Sequence, residues 1–310
     1  MTAAHRCGLA EAAARAATRD GQLNPRYAAA IEGWALRWHG GDPAWVHQRF
    51  GFDPDDYGVD LIPYKTAVGF VARHHYSRSV PALRKYRFGL FCLAGDRPEL
   101  CGVALLSIPP RKEVLTNAFP HLEAYHESAE LGRLVLLDQV PHGAEGFFFG
   151  EIRRWLARNT PIRGLVMFSD PEPRRRNDDS ILLAGHVGTT YQGANSACLG
   201  KSAPQRLTLI DGLVFSRRTR SKILNLEQGW LGATAQLVEA GADPFDVAHD
   251  DPREWLPAAL RQAGARYMDH GGCWKYALPI GCTARQRGRV TIAGPRCAYP
   301  KLSQGQLALF

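Results

Sequence analysis

Residues 130–137 read ELGRLVLL, and this short apolar run is typical of a strand buried in a sheet. The run carries a single cation, Arg133, among apolar neighbours. A glycine-bearing stretch, 140–146 (VPHGAEG), precedes a helical pattern over 147–157, and a second apolar run follows at 164–168 (GLVMF). This alternation of strand, turn, helix and strand predicts an open α/β fold.

Polar residues lie at the ends of these predicted strands. The second run ends in Ser169-Asp170-Pro171, and the segment 186–192 (HVGTTYQ) then carries Tyr191 on a predicted helix. Ligands of open α/β folds collect at the carboxyl ends of the strands. We therefore expect Arg133, Asp170 and Tyr191 to face one pocket.

The rest of the chain predicts three regions. Residues 1–54 read as a helical extension, and the breaker Asp53-Pro54-Asp55-Asp56 marks its end. Residues 55–280 form the predicted catalytic domain, in which 216–241 reads as one long helix ending at a glycine. Residues 281–310 are rich in Gly, Pro and Arg and show no periodic pattern, so we expect a flexible basic tail.

Positive charge is concentrated in clusters. The net charge is +8, and the last thirty residues contain five cations and no acid. Such clusters suit a polyanion, because each neutralised phosphate releases counterions, although a merely soluble basic surface is the alternative. The residues expected to contact such a polyanion are Arg78, Arg84, Lys85, Arg87, Arg217, Arg218, Arg220 and Lys222.

The cysteines and the apolar runs indicate a cytoplasmic protein. Seven cysteines, an odd number with no Cys-x-x-Cys spacing, argue against a zinc ribbon and a disulfide framework and fit a reducing compartment. No apolar run approaches the roughly 18 residues that a membrane-spanning helix needs. We expect no membrane partner and a location in the cytoplasm of a bacterial host.

Five short sequence motifs, in this order, carry a family resemblance. They are HHYS at 74–77 followed by Pro81, GVA at 102–104, ELGRL at 130–134, FSDP at 168–171 and HVGTTYQ at 186–192. Through these motifs, residues 60–280 resemble the Mom family of phage DNA-modification proteins. The layout is similar to that of the Gcn5-related N-acetyltransferases (GNAT). The resemblance implies a GNAT-like acyltransferase fold, in which helices flank a central mixed sheet.

Arg133 and Asp170 are the first candidate catalytic residues. A charge within an apolar strand must be paired or must line a pocket, so Arg133 is either half of an internal ion pair with Glu130 or Glu151, or an anchor for substrate. Asp170 is either a strand-to-loop cap or the group that engages an amine. A carboxylate that accepts a proton from the N6 amine of adenine would make this poor nucleophile more reactive.

His75 and Tyr76 form a polar cluster with Ser77 in a predicted loop. Two adjacent histidines are weak evidence for a metal on their own, and surface or core histidines are the alternative. The resemblance implies iron dependence, and His and Asp are suitable ligands of Fe(II). We therefore expect His75 and Asp170 to be the metal ligands, with Tyr76 beside them.

Tyr191 and Ser169 complete the catalytic candidates. In GNAT enzymes a tyrosine in the corresponding helix often protonates the leaving thiolate, and the resemblance implies this role for Tyr191. Stacking on a flipped base is a second role, and packing of the helix on the sheet is the structural alternative. Ser169 directly precedes Asp170 and belongs to the same strand end.

Residues 140–146 are the candidate donor-binding loop, because backbone N–H groups at the start of a helix bind a pyrophosphate. The residues expected to contact the cofactor are Val140, His142, Gly143 and Gly146. Glu145 departs from the acetyl-CoA loop of GNAT enzymes, since a carboxylate beside a pyrophosphate is unfavourable. The donor is therefore an acyl-CoA-type molecule or another compound.

The last five residues, QLALF, match the form Gln-Leu-x-Leu-Phe of the bacterial sliding-clamp binding peptide. In such peptides apolar anchors enter a groove while the glutamine sets the register. The predicted contacts are Gln306, Leu307, Leu309 and Phe310. The sequence therefore predicts two partners, double-stranded DNA and the sliding clamp, and an accidental apolar tail is the alternative.

Three functions follow from these features. The first is a phage-type enzyme that transfers a carbamoylmethyl-type group to N6 of adenine in DNA, which the resemblance implies protects the DNA from restriction. The second is a GNAT N-acetyltransferase that acts on a protein or a small molecule. The third is a non-catalytic adaptor between DNA and the clamp.

Overall fold

The computed structural model describes residues 34–39, 42–47, 52–81, 84–137, 139–141 and 143–301, and only the backbone of 34–39 and 42–47. These residues form two compact units. The first, the sheet unit, comprises the described residues up to Pro171 together with His186–Gly200 and those from Trp274 onward. The second comprises Glu172–Gly185 and Lys201–Cys273. The predicted single domain 55–280 is therefore divided.

The strands in chain order are β1 (Trp34–His39), β2 (Asp42–His47), β3 (Tyr57–Leu61), β4 (Arg84–Cys92), β5 (Glu99–Ser107), β6 (Ser128–Leu136), β7 (Gly164–Ser169), β8 (Arg174–Arg175), β9 (Ile181–Leu183), β10 (Ala197–Lys201), β11 (Gln205–Ile210), β12 (Leu213–Val214), β13 (Arg266–His270) and β14 (Trp274–Pro279). The helices are α1 (Tyr64–His74), α2 (Glu113–Thr116), α3 (Ala144–Asn159), α4 (Thr189–Gly193), α5 (Arg217–Leu224), α6 (Trp230–Glu239), α7 (Pro252–Gln262) and α8 (Ala284–Gly288).

The sheet unit is built on a seven-stranded sheet of order β10-β14-β7-β6-β5-β4-β3. Strands β6 and β7 are parallel and are connected through α3, whereas β3 to β6 form an antiparallel meander. The late strand β14 pairs antiparallel with β7. The predicted mixed sheet flanked by helices is confirmed.

Helix α3 packs its apolar stripe on this sheet. Phe148, Phe149, Ile152 and Leu156 recur at helical spacing and are all buried in one cluster with Phe88 of β4 and other sheet residues. Full burial of each such side chain contributes about 2 kcal/mol. This packing holds the start of α3 at a set position beside the sheet.

The predicted helical extension is wrong for residues 34–47. Strands β1 and β2 form an antiparallel hairpin in which Trp34 lies opposite His47 and His39 lies opposite Asp42. The sequence between them is Gly40-Gly41, a pair typical of two-residue hairpin turns. Residues 1–33 lie outside the described part of the chain.

The second unit combines small sheets with three helices. Strand β11 pairs with β12 and β13, and helices α5, α6 and α7 share a core that includes Ile223, Leu237 and Leu256. The predicted single helix over 216–241 is instead two helices, α5 and α6. Leu226 (φ 47°) and Gly229 (φ 89°) are left-handed between them, which a continuous right-handed helix does not allow.

The predicted flexible tail is wrong for residues 281–301, which we call the C-terminal arm. It contains α8, whose Thr283 and Gln286 form a capping box. Val290 and Ile292 pack against a buried cluster of the sheet unit, and the Ala293 N–H donates to Ala118 O at 2.9 Å. Apolar contacts thus fix the arm to the sheet unit despite its Gly- and Arg-rich composition. The clamp-type peptide lies outside the described residues.

In the described part of the chain, we found no helix that combines the length and the apolar character needed to cross a membrane.

Candidate functional site

The candidate donor loop leads directly into α3. Gly143 has φ +100°, a left-handed conformation that favours glycine, and it caps the helix without a side-chain hydrogen bond. Its carbonyl oxygen accepts from the Phe147 N–H at 3.1 Å. Val140 is buried, with its N–H donating to Leu137 O at 3.1 Å, so it positions the loop through packing. His142 lies outside the described residues.

The first turn of α3 has both a favourable and an unfavourable feature for an anion. Gly146 is exposed, and no atom lies within 4 Å of the place where a Cβ would stand, so its backbone is accessible. Glu145 is half-buried in the same turn, where the positive end of the helix dipole stabilises its carboxylate. This charge would oppose a bound pyrophosphate.

Arg133 emerges from β6 at a bulge. Leu105 lies opposite Arg133 while Leu106 lies opposite Leu131, which leaves Gly132 as the extra residue. A Cβ on Gly132 would lie 2.5 Å from the Ser107 Oγ atom, so only glycine fits this position. A bulge re-aims the neighbouring side chain, which explains how a charge within an apolar strand leaves the core.

The guanidinium of Arg133 holds the loop that contains the HHYS motif. Its Nε atom donates to Ser79 O at 2.9 Å. Burial lowers the pKa of Arg133, while Tyr76, Glu130 and Tyr191 favour its charged form. Three of the five predicted catalytic residues, Tyr76, Arg133 and Tyr191, therefore share one environment with Glu130. We call these four residues the Arg133–Tyr191 cluster.

Tyr191 lies inside this cluster and is almost fully buried. Its ring centroid is 6.2 Å from that of Phe149 on α3 and 5.6 Å from that of Tyr276 on β14. Burial raises the pKa of Tyr191, and Tyr76 and Glu130 act in the same direction, while Arg133 lowers it. At neutral pH the phenol therefore keeps its proton and can act as a hydrogen-bond donor or an acid.

Glu130 was weighed in the sequence only as an ion-pair partner of Arg133. Burial raises the pKa of Glu130, and Arg133 opposes that shift. The alternative partner, Glu151, instead pairs with Arg154 on α3. A titratable carboxyl with a raised pKa beside a cation and a phenol is typical of a functional site.

Ser169 and Asp170 lie at the end of β7, and both are buried. The backbone oxygen of Asp170 accepts from the His186 N–H at 2.7 Å. Burial lowers the pKa of the His186 imidazole, and the nearby Asp170 raises it. His186 is thus a further polar residue at this strand end. In the sequence, only its position in the HVGTTYQ motif indicated that it could belong to the site.

A hydrogen-bond network connects the strand end to α4. The Tyr276 hydroxyl donates to Val187 O, and Gln192 Nε2 lies 3.1 Å from that hydroxyl and 2.9 Å from Val187 O. Burial raises the pKa of Tyr276 to about 12, although the hydrogen bond from Gln192 lowers it. Tyr276 and Gln192, which the sequence did not single out as site residues, therefore hold the strand end in place.

The surroundings of Gly188 explain why the HVGTTYQ motif has a glycine at this position. This residue has φ +73°, and a Cβ on it would lie 2.8 Å from the Tyr191 ring and 3.1 Å from Ser169 Oγ. A side chain here would therefore crowd both of these predicted catalytic residues.

His75, a predicted metal ligand, contacts its neighbours Ser77 and Tyr76. Its Nδ1 atom accepts from the Ser77 N–H at 3.1 Å and lies 2.9 Å from Ser77 Oγ, while its ring stacks on Tyr76 at 4.3 Å. Acceptance at Nδ1 places the proton on Nε2, whereas metal-binding histidines usually donate through the second nitrogen.

Some of the basic side chains near the HHYS motif form hydrogen bonds with backbone oxygen atoms of the protein itself. Arg87 is half-buried and donates to Ile62 O at 3.2 Å, and Lys85 Nζ lies 3.5 Å from His126 O. Burial lowers the pKa of Lys85. Arg78 is left-handed (φ 46°) in a turn closed by its N–H donating to His75 O at 2.8 Å. The side chain of Arg84 lies outside the described part.

In the second unit, α5 presents a more accessible set of cations. Arg217, Arg218 and Arg220 are exposed, while Lys222 is half-buried. Arg218 pairs with Glu227, which leaves Arg217 and Arg220 as the more available cations. Ser216 caps the helix by accepting from the Thr219 N–H at 3.0 Å, so the helix presents these side chains from a well-formed first turn.

Comparison with known proteins supports a family assignment. A search of curated proteins found no match. Among solved structures, the chain is similar to the crystal structure of a protein assigned as a phosphinothricin N-acetyltransferase, at 11% sequence identity with a TM-score of 0.30. That similarity covers 73% of this chain and 99% of the other. The family model described as the Mom protein family matches residues 56–243, more than half of the chain. The chain therefore belongs to the Mom protein family.

Proposed function

We propose that this protein is a DNA-modifying transferase that places a carbamoylmethyl-type group on the N6 amine of adenine. The observation that carries the proposal is the Arg133–Tyr191 cluster, in which a cation, two phenols and a titratable carboxyl meet beside a GNAT-like sheet. Membership of the Mom family supports a transferase. The exposed cations of α5 and of the C-terminal arm suit the phosphates of duplex DNA.

Each residue of the site has a part in the proposed reaction. Asp170 accepts a hydrogen bond from the N6 amine, which increases electron density on nitrogen as the new bond forms. Arg133 holds an anionic or carbonyl group of the donor, since a guanidinium presents several N–H groups in one plane. The protonated Tyr191 donates to charge that develops on the leaving group. Iron, which the resemblance implied, is assigned no step in this proposal and stays a prediction of the sequence.

The donor would approach the start of α3. Phe149 of this helix contacts Tyr191, so the helix that starts at Gly143 also supports the cluster. The N-cap residue Gly143 offers no side-chain cap, and the positive end of the helix dipole suits an anionic portion of a donor, whereas Glu145 disfavours a fully charged pyrophosphate. We infer a donor with less negative charge at this position than acetyl-CoA carries.

The proposal is tested by nucleoside mass spectrometry of plasmid DNA from cells that express the protein. We expect a deoxyadenosine that is heavier by one carbamoylmethyl group. The Asp170→Asn variant keeps the size of the side chain and removes its charge, and it should yield unmodified DNA. Asp178→Asn changes an exposed carboxylate in the second unit and serves as the matched control that retains modification. Unmodified DNA with folded wild-type protein would reject the proposed reaction in that host.

An N-acetyltransferase acting on a protein or small molecule is the second candidate, and the uncapped start of α3 favours it. Calorimetric titration with acetyl-CoA distinguishes the two. Tight binding that Gly143→Ala abolishes, together with unmodified DNA, would support the acetyltransferase. Absence of binding together with modified adenine would support the DNA-modifying enzyme.

A further inference from the structure

Strand β10 is the edge of the seven-stranded sheet, and the C-terminal arm lies against it. The Cys297 N–H of the arm donates to Cys198 O of β10 at 3.0 Å. Cys198 is buried beneath the sheet edge, whereas Cys297 is exposed. A backbone hydrogen bond therefore places a residue with a buried thiol beside a residue with an accessible thiol.

The two side chains also lie close together. Burial is the largest cause of the raised pKa of Cys198, and the neighbouring Cys297 thiol raises that pKa further. A disulfide requires Cα atoms about 4.4–6.8 Å apart and Cβ atoms that point toward each other. A backbone N–H···O bond limits the separation of the two Cα atoms to about 7 Å, which is compatible with the first condition. The proximity of the two thiols is compatible with the second.

This contact lies beside the site. Tyr299, two residues after Cys297, donates through its hydroxyl to Ser196 O at 2.9 Å, and Gln192 Nε2 lies 3.1 Å from Pro300 O. Gln192 is the residue that also bonds the Tyr276 hydroxyl. The part of the arm that follows Cys297 is thus hydrogen-bonded to the turn that carries Tyr191.

We propose that Cys198 and Cys297 are a disulfide-forming pair, which a peroxide closes so that the C-terminal arm becomes covalently fastened to the sheet edge beside the site. While the two cysteines are reduced, only hydrogen bonds and apolar contacts hold the arm in place. The disulfide makes that attachment independent of them. This inference does not rest on the proposed DNA modification.

The chemistry balances in two steps, with hydrogen peroxide as the oxidant. The exposed Cys297 sulfur attacks one peroxide oxygen, the O–O bond breaks, and a sulfenic acid and one water are formed. The Cys198 sulfur then attacks the Cys297 sulfur, the S–O bond breaks and the hydroxyl leaves as a second water. Burial raises the pKa of Cys198 to about 11, which suits this residue to the second step rather than to the first contact with the oxidant.

The test is a peptide map of the full-length protein after mild peroxide treatment in the folded state. Free thiols are blocked by alkylation, and the protein is digested with trypsin without reductant. Cys198 lies in the tryptic peptide 177–201 and Cys297 in 297–301, while Cys282 lies in 276–285. We expect the linked pair 177–201 with 297–301, lighter by about 2 Da than the sum of the two thiol peptides and separated by a thiol reductant.

Two variants make the result specific. Cys297→Ser, at an exposed position, should abolish the linked pair, whereas Cys282→Ser, which changes the other exposed cysteine of the arm, should leave it unchanged. A mixture of ¹⁴N- and ¹⁵N-labelled protein should give no mixed-isotope pair, because the bond forms within one chain. Oxidation of Cys297 to sulfinic acid with Cys198 still free, pairing of Cys297 with Cys282, or mixed-isotope pairs would each overturn the proposal.

Discussion

Arg133 Nε donates a hydrogen bond to Ser79 O at 2.9 Å, and this bond fastens the loop after α1 to the strand that carries the cluster. The two residues are far apart in sequence, so the bond is part of the tertiary structure rather than of a local turn. It brings Tyr76 and His75, which belong to that loop, to the edge of β6. The guanidinium therefore organises the site as well as contributing charge to it.

Replacement of Arg133 tests this double role. Arg133→Ala should lower the free energy of unfolding by about 2 kcal/mol, because a charged hydrogen bond and its loop contact are lost. Modification of adenine should fall by ~100-fold, the usual effect of removing a group that stabilises developing charge. Urea denaturation and nucleoside mass spectrometry measure the two effects. Arg133→Lys keeps the charge without the planar donors, and full activity of that variant would contradict the role of the guanidinium.

Tyr191 should matter for chemistry more than for stability. Tyr191→Phe keeps the ring contacts with Phe149 and Tyr276 and removes only the hydroxyl, so the free energy of unfolding should change by less than about 1 kcal/mol. Loss of an acid should reduce the modification rate by ~100-fold or more.

Tyr276→Phe provides the comparison for Tyr191→Phe. Its hydroxyl bonds Val187 O and Gln192, so its loss should reduce stability by about 1–2 kcal/mol, more than loss of the Tyr191 hydroxyl. Thermal unfolding of the two variants under the same buffer checks the order. A larger loss of stability in Tyr191→Phe would show that its phenol has a structural function.

The two glycines at the start of α3 should respond oppositely to alanine. Gly143 is left-handed, so Gly143→Ala should destabilise the protein by about 1 kcal/mol or more. Gly146 is helical with open space around it, so Gly146→Ala should stabilise the protein by about 0.5–1 kcal/mol. Chemical denaturation of both variants decides the matter, and equal effects of the two substitutions would contradict the conformation of the loop.

Glu130 should make stability depend on pH. Its folded-state pKa is raised above the ordinary value of 4.5 by burial, so the folded protein binds the proton more tightly than the unfolded chain. Stability from this group is therefore complete below pH ~4.5 and is lost as pH rises through the folded-state pKa. Glu130→Gln has no charge to bury and should gain stability relative to wild type from pH 4.5 upward.

Urea denaturation of wild type and Glu130→Gln at pH 4.5, 6 and 8 measures this difference. Glu99→Gln, at an exposed position on β5, is the control and should show no comparable trend. A wild type that is more stable than Glu130→Gln at pH 8 would show that the ion pair with Arg133 outweighs the cost of burial.

The exposed cations of α5 should control the salt dependence of DNA binding. Arg217→Ala combined with Arg220→Ala should reduce the magnitude of the slope of log K against log salt by about 2, because two phosphate contacts are lost. Fluorescence anisotropy with a labelled duplex at several salt concentrations measures the slope. Arg97→Ala combined with Arg111→Ala removes two exposed cations of the sheet unit and should leave the slope unchanged. Equal slopes for all three proteins would exclude α5 from the interface.

The sequence was most informative where local pattern and tertiary requirement agree. The apolar runs around Arg133 and before Asp170 predicted strands β6 and β7, and the helical pattern over 147–157 predicted the body of α3, which begins at Ala144. Arg133 and Tyr191 act on each other's pKa, whereas a pocket shared with Asp170 stays a prediction. The donor, the metal and the partners remain predictions of the sequence.

Local pattern was misleading where two periods overlap or where packing is distant. Trp34 and Trp38 are spaced as in a helix, yet with Leu36 they also alternate as in a strand, and the structure has a hairpin. The arm lacks any periodic pattern, but Val290 and Ile292 bury against residues far away in the chain. Neither outcome follows from the composition of the segment.

The sequence alone predicted an α/β fold, because the spacing of apolar residues and glycines dictates which strands and helices form, and its five short motifs indicated the Mom family. Only the tertiary structure decided that Tyr76, Glu130 and Tyr191 act on the charge of Arg133, that the Nδ1 atom of His75 accepts from Ser77, and that Cys198 lies beside Cys297. Contacts between residues distant in sequence depend on strand order, on the bulge at Gly132 and on burial, and these are properties of the assembled sheet rather than of any segment.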